Sequence, residues 1–241
     1  MTEWKARRFW TAATVTETAD GLTVSLDARP VRTPGKLPLI LPTRAMAEAV
    51  AAEWDAQSER IDPLSMPVTR AANSAIEKVR PQRDAVVAEI ARYGGTDLLC
   101  YRAAEPPALA AQQAEAWDPW LTWAANALDA PLAVQHGLMP VAQPPESLAR
   151  LATAVDKLDS FELTGFHDLV ALSGSLVLAF AVIRDRLDPA AAWDLSRIDE
   201  AWQTALWGHD DEAAAQAAAR RAAFLAGARF YRLAQVDTQG G

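Results

Sequence analysis

The chain has 241 residues, of which 51% are hydrophobic and 22% are charged, a composition that excludes disorder as its default state. Its formal net charge of −8 lies in the second part, because residues 1–95 carry 13 basic and 12 acidic side chains and residues 96–241 carry 10 and 19. Nucleic acids and anionic membranes need clustered lysine and arginine, so this acidic part excludes both as expected partners.

The first forty residues predict β-structure. Two runs rich in Thr, Val and Leu flank Asp20-Gly21. This dipeptide indicates a tight hairpin turn, because glycine tolerates a positive φ. Two short strands are expected next, in ARPVRTP and LPLIL. Their prolines, Pro30, Pro34 and Pro38, restrict them to edge strands and connections, since proline cannot donate to a ladder.

Helical patterns follow from residue 43 onward. Thr43 is a predicted N-cap for a helix in which Met46, Val50 and Trp54 repeat at helical spacing. The segment TDLLCYR is compatible with either a strand or a helix. Beyond Pro107 the pattern is helical throughout, with abundant alanine and with Pro or Gly mainly at the ends. The predicted helices there span about 108–128, 145–159, 161–186, 189–207 and 211–234.

The change of pattern near residue 80 predicts an α+β fold with two domains. Residues 1–80 are expected to form a small N-terminal α+β domain of antiparallel strands and helices, and residues 81–241 a larger all-α domain. The most apolar window, Leu169 to Ile183, has fifteen residues. A membrane span needs about 20 apolar residues, so this window predicts a buried core helix, and no membrane insertion is expected.

Two features of the sequence favour a cytoplasmic location. No apolar run and no small-residue cleavage site follow MTEWKARRFW, so a secretory signal is not predicted. Cys100 is the single cysteine, which excludes an internal disulfide and gives no support for an oxidising compartment.

A metal site has little support in the sequence. His136, His167 and His209 are 31 and 42 residues apart, without an HExxH pair or a cysteine partner. Zinc ligands normally occur at short spacings, so a site would have to draw on distant carboxylates. We therefore expect no metal.

Motifs for covalent catalysis or nucleotide binding are equally weak. Cys100 lies among apolar residues, where a buried, inert thiol is expected. Ser173 and Ser175 lack a GxSxG elbow, and neither GxxxxGK[ST] nor GxGxxG occurs. We expect no catalytic residue and no cofactor, although the abundant carboxylates leave a general acid–base pair open.

Three tryptophans, Trp117, Trp120 and Trp123, recur at a spacing of three residues. This spacing predicts a helix that buries an aromatic stripe, with a binding surface as the alternative. Asp118 and Pro119 lie between them, and they are compatible with a cap and the first turn of a new helix.

One stretch, Arg197 to Glu212, combines five carboxylates, a histidine and two tryptophans. Asp188-Pro189 predicts a cap with proline in the first turn, and Gly208 predicts an end, so one helix of about nineteen residues is expected. Asp210 is the predicted cap of the helix that follows, whose first turn carries further acidic residues.

Helical geometry divides this predicted helix into two faces. The polar face carries Glu200, Gln203 and Trp207, with Arg197 near its edge. Trp207 either packs over the last turn or is an exposed aromatic beside polar neighbours, as in binding hot spots. The expected core face comprises Leu195, Ile198, Trp202, Ala205 and Leu206, and Ser196 lies on the polar side.

Four motifs along the chain resemble one known family. They are EWDAQ (Glu53 to Gln57), TDLLCYR (Thr96 to Arg102), EP followed by L…Q…WDP…W (Glu105 through Trp123), and SRIDEAWQTALWG (Ser196 to Gly208). In this order and spacing, over about residues 8–235, they resemble the chaperones that assemble the catalytic head of F-type ATP synthase by acting on its α subunit.

The resemblance implies a small N-terminal α+β domain and a helical domain, without catalysis and without a cofactor. It implies a protein that binds the unassembled α subunit, prevents its aggregation and yields to the β subunit. A bacterial cytoplasmic member is expected, for which the mitochondrial matrix is the eukaryotic equivalent. Two alternatives stay open, a helical scaffold protein with a different client and a carboxylate-dependent enzyme.

The last motif and the helix-face argument together predict a partner-binding face. Glu200 is expected to pair with a cationic or N–H donor on the client, and Trp207 is expected to fill a client pocket. Gln203 and Arg197 are expected to complete this face.

The EWDAQ and TDLLCYR motifs are expected to be structural. In the first, Trp54 is expected to anchor its helix on the sheet of the N-terminal domain. In the second, Asp97 is expected to cap a helix or to brace the domain joint.

Overall fold

The computed structural model describes residues 7–137, 139, 141–208 and 210–235. Internal contacts divide the chain into two units. The sheet unit comprises the described residues up to Arg83, together with Ser160–Gly165 and the described residues from Arg229 onward. The helical unit comprises the described residues of Asp84–Asp159 and Phe166–Ala228. The domain boundary expected at residue 80 stays a prediction.

A β-hairpin opens the sheet unit, as the sequence predicts. Strands β1 (Ala13–Thr18) and β2 (Gly21–Leu26) pair antiparallel, and Thr18 faces Gly21 across the turn. Gly21 has a φ of 129°, which explains the need for glycine at this position. β3 (Arg29–Pro30) pairs with the end of β2.

The segment LPLIL does not form the expected strand. It makes two isolated bridges instead, Leu22 with Leu41 and Arg32 with Pro38. Pro38 interrupts any longer ladder because it has no N–H to donate.

Helix α1 (Arg44–Asp55) begins at the predicted cap, because Thr43 Oγ1 accepts a hydrogen bond of 3.0 Å from Met46 N. After it come α2 (Pro67–Ser74), a wider helical turn over Ala75–Val79 and a tight turn over Arg80–Gln82. The core of the unit joins Val24 and Leu26 of the hairpin to Met46 and Val50 of α1. Phe161, Phe230 and Ala234 complete that core.

The remaining elements are mainly helical. A short parallel pair joins Tyr101–Arg102 (β4) to Gln135–His136 (β5). The helices are α3 (Arg83–Arg92), α4 (Pro107–Ala127), α5 (Pro145–Asp156), α6 (Ser160–Ser173), α7 (Leu176–Ile183), α8 (Pro189–Leu195), α9 (Ile198–Trp207) and α10 (Asp211–Ala234). Together with the hairpin, they confirm the predicted α+β fold class.

Two predicted helices are each divided in two. The helix expected over 161–186 breaks at Gly174, whose φ is 76°, and Ser175 then caps α7 by accepting from Leu178 N at 3.0 Å. The helix expected over 189–207 breaks at Ser196, whose hydroxyl donates to Trp193 O at 2.7 Å. Conversely, Pro119 lies inside a continuous α4 and does not start a new helix.

The most apolar window is core, as predicted, because every residue from Leu176 to Val182 is buried. Within the described ranges, no helix is both long enough and apolar enough to cross a membrane.

Candidate functional site

Helix α9 is held at its start by buried polar contacts from α4. Gln113 Nε2 donates to Asp199 Oδ1 at 2.6 Å, and Trp117 Nε1 donates to Leu195 O at 2.9 Å. Gln113 and Trp117 are both fully buried, so these bonds fix the entry of α9 on the core. Neither contact follows from local sequence, because the partners lie 86 and 78 residues apart.

Arg197 fixes the break between α8 and α9. Its guanidinium lies 4.9 Å from the ring centroid of Trp193 and donates to Ser173 O at 3.2 Å. Desolvation lowers the pKa of Arg197, and the nearby carboxylate of Glu200 opposes this shift. Arg197 Nη1 also donates to Glu200 Oε1 at 2.8 Å, so the charge of Glu200 is partly balanced within the chain.

The predicted polar residues of α9 lie on the surface. Glu200 and Gln203 are exposed, and the side chain of Trp207 is 86% exposed. Since these residues are three and four positions apart on one helix, they share a face. Trp207 is therefore an exposed aromatic beside polar neighbours, and it does not pack over the last turn of the helix. The partner-binding role of these residues and of Arg197 stays a prediction.

The expected core face of α9 is wrong in its second half. Ile198 is buried and Trp202 half-buried, but Ala205 is exposed and Leu206 is 64% exposed. Ser196, expected on the polar side, is buried because it terminates α8. Helical periodicity ranks the faces of a helix, but it does not show where along its length the supporting core ends.

The helix after Gly208 begins at the predicted cap. Asp210 Oδ1 accepts from Glu212 N at 2.9 Å and from Ala213 N at 3.3 Å. Asp211 and Glu212 then lie in the first turn of α10, where carboxylates favour the positive end of the helix dipole. His209 lies outside the described residues.

In the EWDAQ motif, Trp54 is half-buried and packs against the core of the sheet unit. Its ring meets Trp10 edge to face, with centroids 5.4 Å apart. The packing of Trp54 is compatible with the anchoring role expected for it. Its contribution to the free energy of unfolding stays a prediction.

Two more residues of this motif organise the chain around α2. The Glu53 carboxylate accepts three hydrogen bonds of 2.7 Å, from Val68 N, Thr69 N and Thr69 Oγ1, and so caps α2 from a distance. Gln57 accepts from Asp62 N at 2.7 Å and donates to Ser65 Oγ at 2.9 Å. Sequence reasoning missed both roles. The available signal was a helix starting at Pro67 without a capping side chain at Met66.

Asp97 in TDLLCYR is fully buried. Its Oδ1 accepts from Leu99 N at 3.0 Å and from Ser175 Oγ at 2.8 Å, and its Oδ2 accepts from Val177 N at 3.0 Å. Desolvation raises the pKa of Asp97, and these donors oppose that shift. Asp97 therefore caps the turn over Leu98–Cys100 and the first turn of α7, which agrees with the expected capping role. The alternative brace at the domain joint stays a prediction.

Arg102 ends the same motif and is also buried. Its Nη2 donates to Asp118 Oδ1 at 2.6 Å, and its guanidinium lies 4.9 Å from the Trp117 ring. Desolvation lowers the pKa of Arg102, whereas Asp118 raises it. Asp118, the expected cap of a new helix, instead neutralises this arginine. Trp117 is buried, and Trp120 and Trp123 are half-buried, as the aromatic stripe predicts.

Cys100, Ser173 and Ser175, which were considered for catalysis, take part in the packing and hydrogen bonding of the fold. Burial raises the pKa of the Cys100 thiol to about 12, which agrees with the predicted inert thiol. Ser173 Oγ donates to Leu169 O at 2.6 Å, and Ser175 bonds Asp97. Over the described ranges, no three His, Cys, Asp or Glu side chains come together as a possible metal site.

An open cleft of about 410 Å³ lies where α4, α5 and α7 end. Arg150, Lys157 and Arg184 line it together with Asp129. Arg150 pairs with Asp129, and Arg184 Nη1 donates to Ala127 O at 3.1 Å. Arg184 and Lys157 lie at the negative ends of α4 and α5, and Arg150 is neutralised by Asp129, so these cations are explained without a ligand.

Comparison with known proteins identifies relatives over nearly the whole chain. The family described as ATP12 chaperone protein matches residues 7–125. The crystal structure of Atp12 from Paracoccus denitrificans is 56% identical, with a TM-score of 0.94, and the match covers 97% of this chain and 100% of that chain. The Atu1473 protein of Agrobacterium tumefaciens is 38% identical, with a TM-score of 0.91, over 95% of this chain and 86% of that chain.

A curated relative extends the comparison to a eukaryote. The mitochondrial protein atp12 of Schizosaccharomyces pombe is 24% identical over 220 residues, which are 86% of this chain and 75% of the relative. The chain therefore belongs to the ATP12 chaperone family, which is the ATP synthase assembly family that its four motifs predicted.

Proposed function

We propose that this chaperone binds the unassembled α subunit of the ATP synthase catalytic head and needs no catalysis to act. It shields the interface that the α subunit exposes before assembly, and it yields when the β subunit arrives. Since the solved relatives include proteins from two bacteria, we place this activity in a bacterial cytoplasm.

A subunit that is normally buried against neighbours exposes an apolar surface when it is alone, and such a surface aggregates. A useful shield must bind that surface and later release it. An interface with a few strong contacts and a polar rim meets both needs better than a large apolar one.

The exposure of Trp207 beside polar residues is the observation that carries the proposal. Exposed tryptophan is unusual, and tryptophan is enriched among residues that dominate binding energy. Trp207 fills a pocket of the client, while Gln203 offers an amide that both donates and accepts. The burial of the indole supplies binding energy, and the amide fixes orientation.

Glu200 gives this face its charge selectivity. In the unbound chain it shares a hydrogen bond with Arg197, whose other donors point to Leu172 O and Ser173 O. A cation or N–H donor of the client can therefore approach Glu200, while Arg197 stays fixed by its remaining contacts. Arg197 acts as a positioning residue for this carboxylate.

The test measures how well variants suppress aggregation of purified α subunit. We expect Glu200→Lys and Trp207→Ala each to weaken client binding by roughly 1–4 kcal/mol, the range of a hot-spot residue. Both side chains are exposed, so both variants should fold; Trp207→Ala should leave the unfolding temperature unchanged, and Glu200→Lys should lower it only slightly, because it removes one surface ion pair with Arg197. The matched control is Glu146→Lys, which reverses an exposed acid of α5.

A Glu200→Lys variant that folds and protects the α subunit normally contradicts the assignment of Glu200. Adding the β subunit to the preformed complex should release the chaperone. A pull-down from a host extract separates this proposal from a scaffold with another client, because it must recover the α subunit in amounts that depend on Trp207.

A further inference from the structure

Helix α9 ends at Gly208, and α10 begins at Asp211 and returns toward the base of α9, so the two helices form a helical hairpin. Arg197, just before α9, and Arg220 of α10 both donate to Leu172 O, each at 3.4 Å. The ten residues of α9 lead away from this point, and the first ten residues of α10 lead back to it. At about 1.5 Å per residue the two arms are of similar length, and both of their bases reach Leu172 O.

The α9–α10 hairpin, residues 198–220, is separated from the core along most of its length. From residue 199 to residue 223, no described residue is buried, and only Asp199, Trp202 and Ala214 are half-buried. Leu206 and Trp207 are exposed by 64% and 86%. Two large apolar side chains next to each other on a helix that stands free of the core mark an interaction surface.

Apart from Arg220 at its base, the hairpin carries charge of one sign. Residues 198–219 contain five acidic residues and neither lysine nor arginine. Glu200 lies on α9, and Asp210 and Glu212 lie at the start of α10, so carboxylates lie on both sides of Leu206 and Trp207 along the chain. Such a rim attracts a cationic surface and repels an anionic one.

We propose that the tip of the α9–α10 hairpin, defined by Leu206, Trp207, Asp210 and Glu212, is the element that contacts the client, and that it fits an apolar surface rimmed by lysine and arginine. This inference rests on the proposed function, because the client is the unassembled α subunit. It adds Leu206 and the α10 acids to the face defined by Glu200, Gln203 and Trp207.

The single native cysteine makes a direct test possible. Cys100 is buried, so a full chain carrying Leu206→Cys presents one accessible thiol. We expect saturating α subunit to slow alkylation of that thiol at least about tenfold, because the centre of an interface excludes water. The matched control is Leu64→Cys, since Leu64 is 76% exposed in the sheet unit, and its alkylation rate should not change.

The charge of the rim is tested by Glu212→Lys against Glu146→Lys, two acids in the first turn of a helix. Binding of the α subunit should weaken about fivefold in the first variant and stay unchanged in the second. Raising the salt concentration from about 0.05 M to about 0.5 M should weaken binding of the α subunit less for Glu212→Lys than for the unchanged chain.

Each outcome decides one point. If the unchanged chain binds no α subunit, the proposed function fails and this inference fails with it. If the unchanged chain binds but Leu206→Cys alkylates at the same rate in the complex, only the hairpin assignment is overturned. Protection that grows with the concentration of the chaperone alone shows that a second copy occupies the tip, which also overturns the assignment.

Discussion

Gln113 and Asp199 are joined by a hydrogen bond of 2.6 Å that ties a buried amide of α4 to the first turn of α9. The other end of the same amide accepts from Ala103 N at 2.7 Å. One side chain therefore fixes the base of the α9–α10 hairpin to the segment that follows β4. The exposed face of α9 depends on a residue that no client can touch.

Replacing Gln113 by alanine should destabilise the chain by about 2–3 kcal/mol, because it leaves a buried N–H and a carboxylate without their partner. Urea unfolding measures this loss, and faster amide exchange in α9 than in α5 localises it. Gln112→Ala is the matched control, since Gln112 is exposed on the same helix. Equal stability of the two variants would contradict the role assigned to Gln113.

Asp97→Ala should lower the free energy of unfolding by about 3 kcal/mol, because three buried donors lose their acceptor. Asp97→Asn should cost less, since its amide oxygen can still accept from Leu99 N and Ser175 Oγ. Chemical denaturation of both variants tests this order. The reverse order would show that the carboxylate does not act as a cap.

Trp54→Ala should destabilise the chain by about 3 kcal/mol through the cavity left against Trp10 and the core of the sheet unit. The same substitution at the exposed Trp207 should leave the unfolding temperature unchanged. Comparing the two variants by calorimetry separates a structural tryptophan from a binding one. A Trp54→Ala protein as heat-stable as the unchanged chain would refute the anchoring role.

His167 introduces a small pH dependence of stability. A hydrogen bond from His167 Nδ1 to Asp168 Oδ1, at 3.3 Å, raises the pKa of His167, and burial opposes this shift. Because the folded pKa is raised, the stabilisation is complete below the unfolded pKa of about 6.5 and disappears as the pH rises through the folded value.

Both side chains are partly exposed, so this effect should not exceed about 0.5 kcal/mol. Asp168→Asn should reduce stability more at about pH 5.5 than at about pH 8.5. Urea unfolding at the two values measures the difference. An equal loss at both would show that the ion pair does not contribute.

Local signals in the sequence predict the elements whose caps and turns are local. Thr43 starts α1 three residues before its partner Met46, and Asp210 starts α10 in the same way. Asp20-Gly21 predicts the hairpin for the same reason. The helix breaks at Gly174 and Ser196 also have local causes. They were not predicted, because the hydrophobic pattern continues across both residues and indicates one unbroken helix in each case.

Non-local contacts are not predictable in this way. Glu53 caps a helix 15 residues away, and Gln113 reaches a helix 86 residues away. The exposure of Glu200 and Gln203 could be predicted because helical geometry alone places them opposite the apolar residues. The exposure of Leu206 could not, because an apolar residue is buried only where a neighbouring element covers it.

The alanine content of α10 has a consequence for binding. Eight of the thirteen residues Asp211–Ala223 are alanine, the residue with the highest intrinsic helix propensity. The later turns, packed through Phe224 and Phe230, supply the nucleus from which the helix propagates. This arm therefore keeps its conformation before a client arrives. Association loses little backbone entropy at the hairpin, and more of the contact energy remains as affinity.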